Sequence, residues 1–588
     1  MKASLLLVSL LTAGFLVTGC TNDDYDFDQI DATMGFGGGE LEIPASSTMN
    51  IPLSDILELE ENGSVKIAAN GDYLFQLTGT NASTASPKIS PIHLTGRSYN
   101  HTFTLSTSSA AKGTRAAGTH LSYVSPKQQM FVYNGTDAAV KSLNSAEVNG
   151  EIVLNVNLAL NGLSSAIATI DKATINLPGY LQISSVNGNG NGVPMVNGSK
   201  ITVENVSTSR NLRLTIKAKK LDFENQNDYY GKVVIGDNGS IKMDGYFDLG
   251  IEANITGVPT SALSIGANVT VNDITLKSAT GIFDPEINIS SLGDVAVTGV
   301  PDFLSEDGVR ADLDNPQIIL SIHNDMDAAA KVSAKVISTK NGQNLATVQL
   351  PEMHIYKTTV TPVTKICICR HKTAELTAQY GAVNVYEVSN LATLINQHIP
   401  DHVQITNVEA KADLSQEMTI EFGRNYNVEP SYEVYAPLAF AEGAVIEYAD
   451  DFDGWNDDLD ELELAEGTYL RLTADAQNLV PATLIVEATP LGVDGTDISN
   501  QIEVNIKQGT VKASADGIEA ATSPLEIELR EKVKGALQKL DGLSYKVKGK
   551  ASHDGTKVTG INLNSEKHTL KLENIKVKLV GKVIGNFN

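Results

Sequence analysis

Cysteine is nearly absent from this chain of 588 residues, which has only Cys20, Cys367 and Cys369. Three thiols, two of them one residue apart, cannot form the disulfide framework that holds small secreted domains. The fold must therefore rest on packed cores, and a hydrophobic content of 42% supplies them. Tryptophan occurs once, as Trp455, and aromatic residues make up 6%, which leaves little for broad stacking platforms. Basic residues are also scarce. Forty-four Lys and Arg stand against seventy Asp and Glu, for a formal net charge of −26. Phosphate backbones are bound by clustered Lys and Arg, so nucleic acid is excluded as a partner. Beyond residue 17 no apolar run approaches the roughly 20 residues that a membrane-spanning helix needs.

What the chain has in abundance is alternation of apolar and polar residues between Gly, Asn, Asp and Pro turns. Residues 212–217 (Leu-Arg-Leu-Thr-Ile-Lys), 570–573 (Leu-Lys-Leu-Glu) and 575–579 (Ile-Lys-Val-Lys-Leu) are examples. A period of two places apolar side chains on one sheet face and polar ones on the other. The run Asn187–Gly192, alternating Asn and Gly, reads as a loop because Asn-Gly accepts positive φ. The expected fold class is mainly β, with several antiparallel β-sandwich-like modules in tandem and one or two short helices. One helix is expected near 389–395. The other is expected over 523–541, where Ser523, Pro524 and Glu526 form a capping signal. There Leu525, Leu529, Val533, Leu537 and Leu540 fall on one stripe, although a strand competes over 525–529.

Residues 177–186 parallel residues 399–408 at an offset of 222, and the same offset carries Val258-Pro259 onto Val480-Pro481. Two related β modules are therefore expected, at 146–298 and 366–520. Around them lie an N-terminal β module at 46–145, a connecting segment at 299–365 and a C-terminal helix plus β segment at 521–588.

The N-terminus gives the most specific signal. Lys2 is followed by an apolar run at 4–17 that ends in Leu16-Val17-Thr18-Gly19-Cys20. That run is too short to span a bilayer and matches a secretory signal over residues 1–19. The ending resembles the lipobox of bacterial lipoproteins. The resemblance implies that Cys20 receives diacylglycerol and fatty acid, such as palmitate, and becomes the first residue of the mature chain. Two or three acyl chains anchor stably where one does not. Loss of Lys2 with the signal takes the formal charge from −26 to −27. By the same resemblance Thr21, in place of Asp, implies the outer membrane. The acidic stretch 22–28 resembles the export signal of Bacteroidetes-type surface lipoproteins, and it also reads as a plain solvated tether. The tether is expected over 20–45 and contains the Gly-rich 35–39. Residues 364–371, 436–440 and 453–455 resemble a group of large, uncharacterised Bacteroidetes-type surface lipoproteins. That resemblance implies no activity.

Two motifs could carry chemistry. On a strand Cys367, Cys369 and His371 project from one face, as a soft-metal site would require. The alternatives are a strained disulfide or two thiols buried as small hydrophobes. The acidic run 450–461 could offer calcium oxygens from Asp451, Asp453, Asp457 and Asp458. It departs from the EF-hand pattern, and the alternative is a solvated loop pinned by Trp455. Between His398 and His402, Pro400 breaks the helix that would align them for zinc. No Gly-x-Ser-x-Gly elbow or phosphate loop is present, and no cofactor is implied.

The reading is of a non-catalytic, lipid-anchored binding or assembly protein of the outer membrane, on its surface or its periplasmic face. Its partners would be the membrane, through the lipid, and other outer-membrane proteins or glycans. A glycan-binding accessory lipoprotein and a lipid or hydrophobe carrier are the alternatives. The carrier rests on the amphipathic strands expected in 545–588.

Overall fold

The computed structural model describes residues 39–43, 48–57, 59–60, 63–79, 85–105, 119–160, 162–256, 263–289, 291–301, 304, 309–396, 398–456 and 464–582. The signal 1–19, Cys20, Thr21 and most of the tether lie outside the described residues, as do Asp457 and Asp458. Strands make up 60% of the structure and helices 5%, so the chain is mainly β as its alternation predicts. Among the described residues no helix is long and apolar enough to cross a membrane.

The strands form three layered bodies. The largest is a fifteen-stranded sheet whose pairings run from Leu181–Gly188 through Val140–Ala159, His93–Gly96 and Ser240–Asn254 to Val193–Asn197. Its two ends are the two arms of the Asn-Gly loop, so the sheet folds back on itself. Gly190 and Gly192 take φ of 78° and 84° there, and a Cβ on Gly192 would lie 2.5 Å from Val203. Inside is one continuous core that includes Phe131, Phe247, Leu249, Ile265 and Phe283. Phe103 stacks on Tyr123 at 4.5 Å between strands of the two faces.

The second body packs a six-stranded sheet against a five-stranded one. The first includes Tyr73–Thr78, Gln317–Asn324, Val363–Cys369 and Val428–Pro437; the second includes Ala330–Lys340 and His402–Ala412. Ile318, Leu320 and Ile366 meet Val332, Val336 and Ile405 in its core. The third body is C-terminal. One sheet holds Gly39–Ile43, Thr48–Pro52, Thr569–Gly581, Tyr469–Asn478, Ala521–Glu531 and Ile502–Gln508. The other holds Val445–Phe452, Leu540–Lys550, Thr483–Gly492 and Thr510–Val511.

Residues 366–520 thus distribute their strands over five sheets, and all five also take strands from elsewhere in the chain. The two halves of the sequence repeat both begin a strand after a Pro. Leu181–Gly188 ends its sheet, whereas His402–Ala412 is paired on both sides.

The helix expected over 523–541 is not formed. Ala521–Glu531 is a strand paired on both sides, with Tyr469–Asn478 and with Ile502–Gln508. Only Leu537–Lys539 turns, as a 3₁₀ segment. Residues 523–529 satisfy both periods, and two ladders of backbone hydrogen bonds decide for the strand. The helix near 389–395 is a 3₁₀ turn at Leu391–Leu394. The longer helix, Ala374–Tyr380, was not anticipated, although Thr373 caps it and Gly381 ends it at φ 85°.

Candidate functional site: an apolar cavity in the C-terminal sandwich

Between the two C-terminal sheets lies a cavity of about 220 Å³. One wall is Leu472, Ala474, Leu525, Ile527, Leu570 and Ile575; the other is Leu484, Val486, Ala488, Leu543, Tyr545 and Val547. Ile51, Leu53 and Leu57, at the N-terminal edge, complete it. Apart from Tyr545, the polar residues at the lining are Thr473 and Glu447, whose side chains the strand alternation turns to the outer faces of their sheets.

The cavity follows from the size of the inward residues. Facing sheets stand about 10 Å apart, a gap that large side chains fill. Here the inward positions include Ala474, Ala488 and Gly549, which reach only part of the way. Leu525, Ile527, Leu484, Val486 and Val547 face the interior yet remain half-buried.

Two separate apolar clusters bound the space. One gathers Trp455, Leu470, Leu529, Leu540 and Leu543; the other holds Ala476, Val511 and Leu572. Along one side the sheets are tied together. Lys512 N–H donates to Ser523 Oγ at 2.9 Å, and Val486 N–H to the Gly509 carbonyl at 2.9 Å. On the other side Val445–Phe452 is the last strand of its sheet. It carries Glu447, the one charged residue of the lining, whose carboxylate is ion-paired with Lys546.

Trp455 is buried at 1% exposure. Its backbone N–H donates to the Asp541 carbonyl at 2.7 Å, while the backbone N–H groups of Gly454 and Asn456 donate to the Asp541 carboxylate at 3.1 Å. The acidic run is therefore pinned through Trp455. Asp451 and Asp453 in it are exposed.

Cys367 and Cys369 are free and fully buried. They lie beneath the helix Ala374–Tyr380 with Leu376, Val385 and Tyr380. The hydrogen bond between the two thiols, with burial, pushes Cys367 well above the ordinary thiol range. His371 lies beyond the strand, exposed, its backbone N–H donating to Asn315 Oδ1 at 2.9 Å. Among the described residues no group of three His, Cys, Asp or Glu side chains is arranged to hold a metal ion. His402 pairs with Asp294 at 3.1 Å, and His398 is exposed.

A second concavity, of about 460 Å³, is polar. It lies beside the same helix and includes Ser321, Tyr356, Lys365, Gln379, Tyr380 and Glu433. Tyr356 Oη donates to Asn384 Oδ1 at 3.0 Å, Gln379 Nε2 donates to the Tyr380 hydroxyl at 3.2 Å, and Gln76 Nε2 to the Glu433 carboxylate. Burial raises the Tyr380 hydroxyl above its usual range.

Neither cavity was located from the sequence as a site. The strands of the first were anticipated as amphipathic, but which small residues face each other depends on pairings between strands from about forty to more than five hundred residues apart.

No family model matches this chain, and no curated protein matches it. A crystal structure of a secreted protein from Parabacteroides distasonis is similar at a TM-score of 0.36 and 14% identity. The match covers 52% of this chain and 90% of that one.

Proposed function

We propose that this chain is a lipid-anchored, extracytoplasmic binding protein of the outer membrane, without catalytic activity, whose C-terminal sandwich takes up a hydrophobe. The observation that carries the reading is the apolar cavity. By the cost of engineered voids, about 24 cal/mol per Å³, leaving 220 Å³ unfilled costs on the order of 5 kcal/mol. That is a large fraction of the stability of an ordinary domain, about 5–15 kcal/mol. A space this costly and this apolar is suited to an occupant that brings its own hydrocarbon. The lipobox-like sequence ending at Cys20 supports the anchor, and the absence of a nucleophile or phosphate motif supports a binding role.

The test uses the mature chain carrying Cys20→Ser, purified without detergent and extracted for mass spectrometry. A co-purifying hydrophobe is expected, and it should be lost from the doubly filled variant Val486→Phe with Ala488→Phe. If no hydrophobe co-purifies and none binds on titration, the reading fails.

The polar cleft favours a second reading, the capture of a glycan. Tyr356, Tyr380, Gln379 and Asn384 offer hydroxyls, amides and ring faces of the kind a sugar uses. Affinity electrophoresis in polysaccharide gels would show retardation that Tyr380→Ala abolishes. No retardation by any polysaccharide removes this reading.

A further inference from the structure

The floor of the polar cleft is set by strand register. On one side Ser321 stands opposite Lys365 and Ile319 opposite Cys367; on the other, Ile319 stands opposite Glu433. Alternation sends Ile318, Leu320 and Ile366 of these strands into the core. Ile319, Ser321, Lys365 and Glu433 therefore share the opposite face, and all four line the cleft. On that face the helix Ala374–Tyr380 covers Cys367 and Cys369. Its last two residues, Gln379 and Tyr380, form one wall of the cleft.

The walls are held by their own hydrogen bonds. Asn384 accepts from Tyr356 Oη and donates from Nδ2 to the Tyr380 carbonyl, each at 3.0 Å. The backbone N–H of Tyr356 donates to Thr364 Oγ1, also at 3.0 Å. Gln379 Nε2 donates to the Tyr380 hydroxyl, which leaves the hydrogen of that hydroxyl and the Gln379 carbonyl oxygen to a ligand. The two charged groups of the cleft differ in their surroundings. Glu433 is half-buried and receives a bond from Gln76 Nε2. Lys365 is exposed and has neither an ion pair nor a hydrogen-bond partner among the described residues. The free charge of the cleft is thus a cation, placed beside the Ser321 hydroxyl.

Resting on the glycan reading of this cleft, we infer that the sugar it takes is acidic, a hexuronate unit whose carboxylate meets Lys365. Its hydroxyls meet Ser321, Gln379, Tyr380 and the Glu433 carboxylate. Lys365 explains the acid, since a charge-assisted bond to a carboxylate is stronger than one to a neutral hydroxyl. The remaining groups explain the sugar. A simple carboxylate would use Lys365 and leave the other four groups, and most of the space, to water. The cleft is also of the right size. A void of about 150 Å³ accommodates benzene, and by the same ratio 460 Å³ takes roughly eighteen non-hydrogen atoms, one uronate ring and part of the next. A net charge of −26 opposes the approach of a polyanion, so a preference for the acidic form of a polysaccharide must come from a local site.

The test is affinity electrophoresis of the mature Cys20→Ser chain in gels holding polygalacturonate or alginate, each beside its fully methyl-esterified form. Esterification removes the charge and keeps the ring, the hydroxyls and the linkage. At least one of the two acids should retard the chain with a dissociation constant about tenfold below that of its ester. Lys365→Gln should bring that acid to the level of the ester while leaving the ester unchanged, and Lys365→Arg should retain the preference. Tyr380→Ala should weaken both forms together. Equal retardation by acid and ester, or retardation by neutral polysaccharides alone, overturns the inference and leaves the glycan reading standing. No retardation of the folded chain by any polysaccharide overturns both. An acid preference that survives Lys365→Gln overturns the assignment of the carboxylate to this cleft. Lys365 is exposed, so its substitution should leave folding intact, and the comparison of acid with ester in the unsubstituted chain decides on its own.

Discussion

The fifteen-stranded body and the C-terminal sandwich are written in the same binary pattern, yet one is filled and the other is hollow. In the first, Leu249, Ile265 and Phe247 are each at or below 1% exposure, within a single core. In the second, Leu525, Ile527 and Val486 point inward and stay half-buried, because Ala474, Ala488 and Gly549 stand where larger residues would close the gap. Alternation decides which face is apolar, whereas the volumes of the facing residues decide whether that face packs. A sheet can therefore be correctly patterned for a core and still be built to hold something else.

The contrast predicts unequal costs for one chemical change. Leu249→Ala removes a side chain at 1% exposure from a close-packed core and should cost about 3–5 kcal/mol. Leu525→Ala trims a wall that already faces open space, and should cost about 1 kcal/mol or less. Urea unfolding resolves the two bodies. Trp455 is the single Trp and lies in the C-terminal sandwich, so its fluorescence reports that body, while far-ultraviolet dichroism reports the whole. Equal costs would mean that the C-terminal interior packs as tightly as the other.

Reading the sequence alone reaches the first half of this contrast and not the second. Lys-Val-Lys at 546–548 and 576–578 announces amphipathic strands, and their positive charge within an acidic chain is visible by counting. That Ala474 and Ala488 would face one space from opposite sheets is not visible, because each sheet is set by a partner strand far along the chain, Thr569–Gly581 for the first and Leu540–Lys550 for the second. Residues 523–529 show the same limit. Ser523, Pro524 and Glu526 form a genuine capping signal, and two flanking strands override it. Conversely, Ala374–Tyr380 was legible in Thr373 and Gly381, its caps, and went unread because only Leu376 is buried on it. Cys367 and Cys369 share a face, as strand geometry requires, but the helix above them, which buries both, could not be placed from their spacing.

Adding volume should reverse the sign between the two bodies. Ala488→Leu places three carbons into the cavity and should stabilise the C-terminal sandwich by about 1–2 kcal/mol. It should also weaken retention of the co-purifying hydrophobe. Ala267→Leu, at a fully buried position of the packed core, should cost about 1–3 kcal/mol through displaced neighbours. Melting curves of the two variants, followed by the same pair of optical probes, check the signs independently of any ligand. Destabilisation by both would indicate that the cavity walls cannot accept even a partial filling.

The smallest effect concerns charge, and it again separates the two bodies. On the outer face of the C-terminal sandwich Glu528 has a side chain only 5% exposed, covered at the surface by the stems of its own partners. Arg530 lies at 2.8 Å, Arg471 at 3.5 Å and Lys507 at 3.8 Å, and Arg530 also stacks on Tyr469 at 3.5 Å. Burial alone would raise this carboxyl. The Arg530 hydrogen bond and the three positive charges outweigh it and hold the carboxyl below its ordinary 4.5. A lowered folded-state value means that the stabilisation is present in full above about pH 4.5. It is lost as pH falls through the folded value, because the unfolded chain takes up the proton first. In the large body Glu151 is lowered in the same direction, chiefly by its hydrogen bond to Lys217. That pair is open to solvent, so 1 M salt, with a screening length of about 3 Å, should remove its contribution and leave most of that of Glu528. The unfolding midpoint followed through Trp455 should therefore fall between pH 5 and pH 3 in high salt for the unsubstituted chain, and less steeply for Glu528→Gln. An identical acid dependence in the two chains would show that the cluster around Glu528 adds nothing to the sandwich beyond what its solvent-exposed charges supply.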